Sequence, residues 1–302
     1  MALTRTQIVK HLEPGLNAIF GQAYKGYENE HEVLFDKESS SRAFEEEVLF
    51  PGFAGAFVKP EGSAVAYAET GEGYTARHVM DTIALAFALT EEAMEDNLYD
   101  SMSKRLSKAL ARAMAHTKQV KAAAVYNNGF SSIYPGGDGK ELFATNHPLQ
   151  DGGTGRNELS TAADLSETSL ETALIDIAGI TDDKSIPIAL QARSLHIPRQ
   201  LLFVAERIMR SPYRPATADN DVNAIYNTGM LPGGYHVNHR FTDTDAWFIR
   251  TDCPDGMKHF ERVGISTKME GDFESGNMRY KARERYSFGW SDWRAAFGSA
   301  GN

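Results

Sequence analysis

His236 and His239, followed by Asp243 and Asp245, are the densest metal-type grouping in this 302-residue chain. Imidazole nitrogens and carboxylate oxygens suit several divalent ions. In extended chain, however, two residues three apart point to opposite faces, and no third ligand stands at a recognisable spacing. Hydrogen-bonded or solvated histidines are the stronger reading, and a metal-dependent enzyme using His236 and His239 is only a second alternative. Cys253, before Pro254, would need a distant histidine to act as a nucleophile; a lone cysteine more often packs as a small apolar side chain. Gly136-Gly137-Asp138-Gly139-Lys140 has the look of a phosphate loop, but Tyr134 and Glu141 stand where that motif requires Gly and Ser or Thr. A solvated turn fits better. Gly152-Gly153-Thr154-Gly155 opens no helix and is also read as a turn. Neither G-x-S-x-G nor H-E-x-x-H occurs, and no pair of acids stands apart for acid–base work. No catalytic, cofactor-binding or metal residue is assigned, and an enzyme is not expected.

One further grouping is cationic. Lys104, Lys108 and Arg112 recur every four residues, which lines them along one helix face. A solvated face with partners such as Asp100 is the plain reading. The alternative is a face toward packaged nucleic acid, held through phosphates without reading sequence.

The helix that carries this line is the strongest element in the sequence. It is predicted from Thr90 to about 127. Thr90 is a suitable N-cap, Leu89 a staple, and Glu91, Glu92, Glu95 and Asp96 sit at the positive end of the dipole. Asn127, Asn128 and Gly129 suit its end. Met94, Leu98, Met102, Leu106, Leu110 and Met114 are spaced strictly by four. At ~3.6 residues per turn, each such step rotates the apolar stripe by about 40°. The stripe therefore winds around the rod, and the helix must meet different neighbours along its length. At about 1.5 Å per residue it would span roughly 54 Å.

Around this beam, Thr4 is expected to cap a short helix over Arg5 to Leu12, ended by Pro14 and Gly15. Residues 31–75 read as extended chain with too few paired apolar positions for a core of its own. A surface hairpin and an arm buried on a neighbouring subunit stand equal on the residues alone; in the latter, Phe50, Phe53 and Phe57 would mark an interface. VAYAETGEGY is expected as a strand that ends in a turn at Gly71 to Gly73. Residues 75–89 read as a strand with Ala76, His78, Met80 and Thr82 on one side. Residues 130–165, dense in Gly, Asp, Asn and Pro, form a loop long enough to imply a functional or intermolecular role. A helix over 166–179 is capped by Ser166 and buries Leu170, Ala173, Leu174 and Ile177. Ser194 to Pro198 is a strand, Gln200 to Arg210 a helix, and YHVNHRF, AWFIRT and MRYKARERYSFGW are strands. Helices and strands alternate without a βαβ rhythm, so the class is α+β.

The bulk numbers narrow the function. A net charge of −10 argues against a dedicated sequence-reading DNA binder. One cysteine excludes an internal disulfide and suits a reducing cytoplasm. The N-terminus lacks an apolar signal region, and the longest apolar run, Ile83 to Leu89, is too short to span a bilayer. An intracellular, soluble chain is expected, with 42% apolar residues for a sizeable core.

Several segments, taken in order, resemble the major capsid proteins of tailed bacteriophages of the Hong Kong 97 type, Mu-type head subunits in particular. They are LTEEAMEDNLY at the helix entry, YNNGF at its end, DGKELFATNHPL, ARSLHIPRQLLFVAERIMRSPYRP, DNDVNAI and the closing WSDWRAAFGSAG. The resemblance implies an N-terminal arm over 1–30, an extended loop over 31–75, and a peripheral domain over 76–164 with the spine helix. It also implies an axial domain over 165–250 and return strands over 251–302. It implies hexamers and pentamers of this chain in an icosahedral head, with double-stranded DNA inside and a portal protein. The location would be the virion, and the host cytoplasm during assembly. With only about 75 residues before the strand into the helix, a scaffolding protein, if used, would be separate or already removed; decoration proteins are a further implied partner. An encapsulin-like protein compartment is the first alternative.

Overall fold

The computed structural model describes residues 5–67, 71–90, 92, 99–213, 221–272 and 276–302. The expected cap Thr4 lies outside them, as do Glu91, Met94, Glu95, Asp96 and Leu98 of the predicted long helix. Helix α1 (Arg5–Lys25) runs through Pro14 instead of stopping there. Tertiary packing overrides the proline: Leu16 and Phe20, beyond it, are buried, and Phe20 packs on Tyr24 and Tyr280. After α1 come β1 (Asp36–Ser39) and β2 (Phe44–Val48). The strand expected over 75–89 is broken at Met80 into β3 (Thr75–Val79) and β4 (Asp81–Leu89). β3 pairs with β2, whereas β4 joins a different sheet. Ala76, His78 and Met80 are buried together, as the alternation predicts, whereas Thr82, past the break at Met80, is exposed.

Helix α2 (Tyr99–Asn127) is the described part of the beam. It is followed by short β5 (His147–Pro148) and β6 (Thr154–Gly155), then α3 (Glu167–Ala178). Ser166 caps α3 through a reciprocal box with Ser169, and Leu170, Ala173, Leu174 and Ile177 are its buried face. β7 (Ala192–Pro198), α4 (Leu202–Arg210), α5 (Ala224–Thr228), β8 (Tyr235–Asn238), β9 (Trp247–Thr251), β10 (Met257–Gly271), β11 (Met278–Trp290) and β12 (Ala296–Ser299) complete the order. One sheet runs β1-β10-β11-β4 and a second β12-β9-β7-β8. The last strand therefore leaves the long pair β10–β11 and closes the second sheet.

Two hydrophobic cores result. One gathers Leu16 and Phe20 of α1, Leu110 and Met114 of α2, and Met269 and Tyr280 of β10 and β11. The larger surrounds Trp247, Phe248 and Phe297 and takes in α3, Leu195 and Ile197. Helix α2 belongs to both: Leu110, Ala111 and Met114 to the first, Ala122, Ala123 and Tyr126 to the second. The winding stripe explains this. The step of four continues as 110, 114, 118, 122 and 126, buried throughout, while Leu106 is half-buried and Met102 exposed.

At 118 that buried line holds a lysine. Lys118 Nζ lies 3.5 Å from Glu284 and 3.6 Å from Glu261, and Tyr24 Oη donates to Glu284 at 3.2 Å. Beside it, Gln119 accepts from the His31 amide at 3.0 Å and donates to His31 Nδ1 at 2.9 Å. Burial raises the pKa of the Glu284 carboxyl, against the pull of Lys118. Burial also lowers His31 to about 4 and His259 to about 3, so both rings are neutral in the fold. A layer of buried polar groups thus separates the two cores at the middle of the helix.

Candidate assembly surface

The hairpin of β2 and β3 is a short stalk. Its register runs from Phe44 opposite Val79 to Val48 opposite Thr75, and two further backbone bonds, Leu49 N–H to Tyr74 O and Gly73 N–H to Leu49 O, extend it. Beyond the stalk, residues 50–67 form no helix or strand. The chain reverses at Pro60–Ser63, where the Ser63 amide donates to the Pro60 carbonyl and Gly62 has φ +78°. That is a turn with a left-handed third residue, which glycine adopts without steric cost. The turn therefore falls at 60–63, not at the expected 71–73, and 65–67 is not a strand.

Past Pro51, which is buried, the side chains of this limb face solvent. Phe57 is 82% exposed, Val58 95% and Tyr67 98%, and Phe50 and Phe53 are exposed as well. Large apolar groups normally leave water at about 25 cal/mol per Å², so a run of them outside a core marks a surface awaiting a partner. Both readings that the sequence left level, a surface hairpin and an arm buried on a neighbour, place this limb at the surface of the single subunit.

The other long irregular segment behaves oppositely. Within residues 130–165, Leu142, Phe143, Ala144, His147 and Asn157 are buried. Asn157 Nδ2 donates to the carbonyls of Leu142 (2.7 Å), Trp293 (3.0 Å) and Ala296 (3.0 Å), while its Oδ1 accepts from the Ala144 amide at 3.0 Å. His147 Nε2 lies 3.1 Å from Asn157 Oδ1 and Nδ1 lies 2.6 Å from Asp138 Oδ2, with the ring stacked on Trp293 at 4.5 Å. No nucleophilic hydroxyl or thiol joins this His–Asp pair in any of these bonds, so the arrangement fastens the loop. Gly136, read from sequence as part of a solvated turn, is pressed under Trp290: a Cβ there would lie 2.1 Å from the indole. Gly136 and Gly137 serve close packing, whereas Gly139, at φ +78° with open space around it, serves the turn as expected.

The metal-type grouping does not converge. His236, on β8, stacks on buried His196 with ring centroids 5.4 Å apart, and burial lowers His196 to about 3. His239 instead bonds Glu30 through Nδ1 at 2.7 Å, a carboxylate shared with Arg240. Among the described residues, no three His, Cys, Asp or Glu side chains come together to hold an ion. Cys253 is half-buried, and burial, with Asp292 nearby, raises its pKa, which opposes formation of the thiolate a nucleophile needs. Neither Asn157 nor the buried Lys118–Glu284 pair carries a local signal, because neither stands in a motif and their partners lie far away in the chain. Lys104, Lys108 and Arg112 are exposed on α2, as their spacing predicts. Among the described residues, no helix is long and apolar enough to cross a membrane.

A family model described as phage capsid protein matches residues 73–298. No curated protein matches the sequence. Among solved structures, the capsid of an empty GTA particle is similar at 14% identity and a TM-score of 0.58, over 90% of this chain and 89% of that one. The capsid of the Myoviridae phage XM1 aligns at 9% identity and a TM-score of 0.51, over 91% and 93%. The procapsid of bacteriophage JBD30 aligns at 14% identity and a TM-score of 0.50, over 98% and 75%. These likenesses share the mixed helix-and-sheet fold described above, and with most of its length matched by the family model, the chain belongs to the phage capsid proteins.

Proposed function

We propose that this chain builds the icosahedral head of a tailed phage, as hexamers and pentamers around double-stranded DNA. The observation that carries this reading is the limb at 50–67, whose aromatic side chains stand in water in the single subunit and are buried once it lies across a neighbour. On this reading the long helix with β4, β10 and β11 is the peripheral domain, 31–75 the extended loop, 1–30 the N-terminal arm, and the sheet around β7 and β9 the axial domain over 165–250. Lys104, Lys108 and Arg112 would meet DNA phosphates without sequence preference. A portal protein, a separate scaffolding protein and decoration proteins are the accompanying partners, and assembly takes place in the host cytoplasm.

Sedimentation and negative-stain microscopy of the purified chain, alone and with a scaffolding protein, test this. Capsomers or shells far above the 33.3 kDa subunit are expected. A strictly monomeric protein at high concentration in both conditions would overturn it.

A further inference from the structure

Strand β4 is an edge strand: it pairs with β11 on one side, and among the described residues no strand pairs with the other. Nine residues long, it carries no charge after Asp81. Ala84, Ala86 and Ala88 are exposed, so the outward face near the edge is open, while Ile83, Phe87 and Leu89 on the other face pack on the first core. An open, uncharged edge of this length is a template for another chain, and natural sheets usually blunt it with lysine, proline or a bulge. The outward face next to it is cationic. Along β11, Arg279, Lys281, Arg283 and Arg285 alternate toward that face, beside Ala88, Ala86, Ala84 and Thr82 of β4.

The same chain holds a segment that fits. Residues 63–67, the limb returning from the turn at 60–63, carry one hydroxyl beside apolar side chains, no charge, and form no strand in their own subunit. Residues 60–73 contain three glutamates and no lysine or arginine. The segment does not lie on its own β4; Val65 and Tyr67 are exposed there. We propose that residues 63–67 of one subunit add as a strand to the edge of β4 in a second copy, an inference that rests on the shell reading above. Val65 and Tyr67 then cover the alanine ladder, large against small. Two strand spacings of about 4.8 Å separate the added strand from β11. Over alanines alone, glutamates from the limb and Lys281 and Arg283 can bridge that gap of about 10 Å.

The test uses the full chain in a Cys253→Ser background. Ala86→Cys is combined in turn with Val65→Cys and with Tyr67→Cys, because paired strands bring opposite Cβ atoms to about 5 Å. Assembled shells are oxidised and run on denaturing gels without reductant. Ladders of covalent multimers that collapse on reduction are expected from at least one pair. Shells whose thiols stay free in both pairs, or whose disulfides close within single chains, would overturn the strand addition while leaving the shell reading intact. An unsubstituted chain that never assembles would remove the shell reading, and this inference with it. As a second measurement, Lys281→Glu with Arg283→Glu should lower shell yield at least tenfold at low salt, with Glu61→Lys and Glu72→Lys restoring it. An unchanged yield would overturn the pairing of charges.

Discussion

The limb at 50–67 and the loop at 130–165 are both long, irregular and rich in glycine, yet they are opposites in what they bury. The loop turns polar side chains inward: Asn157 satisfies buried backbone groups, and His147 braces it against Asp138. The limb turns aromatic side chains outward, with Phe57 and Tyr67 almost wholly in water. Irregular chain in a compact body must find partners for its N–H and C=O groups, and a few well-placed amides supply them. Irregular chain outside the body has water for those groups, so its side chains are free to serve something else. The first segment is a fastener and the second a contact surface, although both are irregular and rich in glycine.

Removing the fastener is the harshest way to break this contrast. Asn157→Ala leaves several buried carbonyls and amides unpaired at about 1–3 kcal/mol each. A loss of about 5 kcal/mol is expected in chemical denaturation of the subunit, or no folded protein at all. An unchanged midpoint would show that the loop is not held as described. Next is the polar layer at the middle of α2. Lys118→Met strands Glu284 in the interior and is expected to cost about 3–5 kcal/mol. Combining it with Glu284→Gln should recover most of that loss, and a double mutant as unstable as the single would argue against a charge effect.

Acid sharpens the comparison. His31, His196 and His259 are neutral in the fold, with pKa values of about 4, 3 and 3. In the unfolded chain they titrate near ~6.5, so below that pH the unfolded state takes up protons that the fold excludes. Their contribution is fully present above about pH 6.5 and is lost as the pH falls toward 4, by up to roughly 1.4 kcal/mol per histidine per unit. The limb contains no histidine. Denaturation midpoints should therefore fall over this range while the rate of proteolytic cutting within 50–67 stays level. Parallel changes in both would erase the distinction. The smallest effect on the subunit belongs to Phe57→Ser, within about 0.5 kcal/mol as for other exposed sites. Its effect on assembly should be large, read as loss of shells in the microscope. A subunit that unfolds on this change would place Phe57 in a core.

Much of the frame was legible in the residues. Ser166 and its periodic leucines announced α3, and the step of four in α2 announced a helix shared between two neighbourhoods. The end of α1 was not legible, because Pro14 is a stop signal that only the burial of Leu16 and Phe20 overrules. The break at Met80 was not legible either, since the alternation runs on while the backbone changes partners. Gly136 was read as a turn residue because a sequence does not reveal which indole will lie against it.

Local rules act through neighbours in the chain, and these the sequence by itself determined: caps, periodicity, the exposed basic line of α2 and the apolar, acid-flanked limb. Which buried groups would face each other was decided only in three dimensions. Lys118 meets Glu284, Asn157 meets Trp293, and β4 ends with an open edge because distant strands were placed by packing. Pairing across more than a hundred residues depends on how two cores close around one helix, and no local pattern encodes that closure.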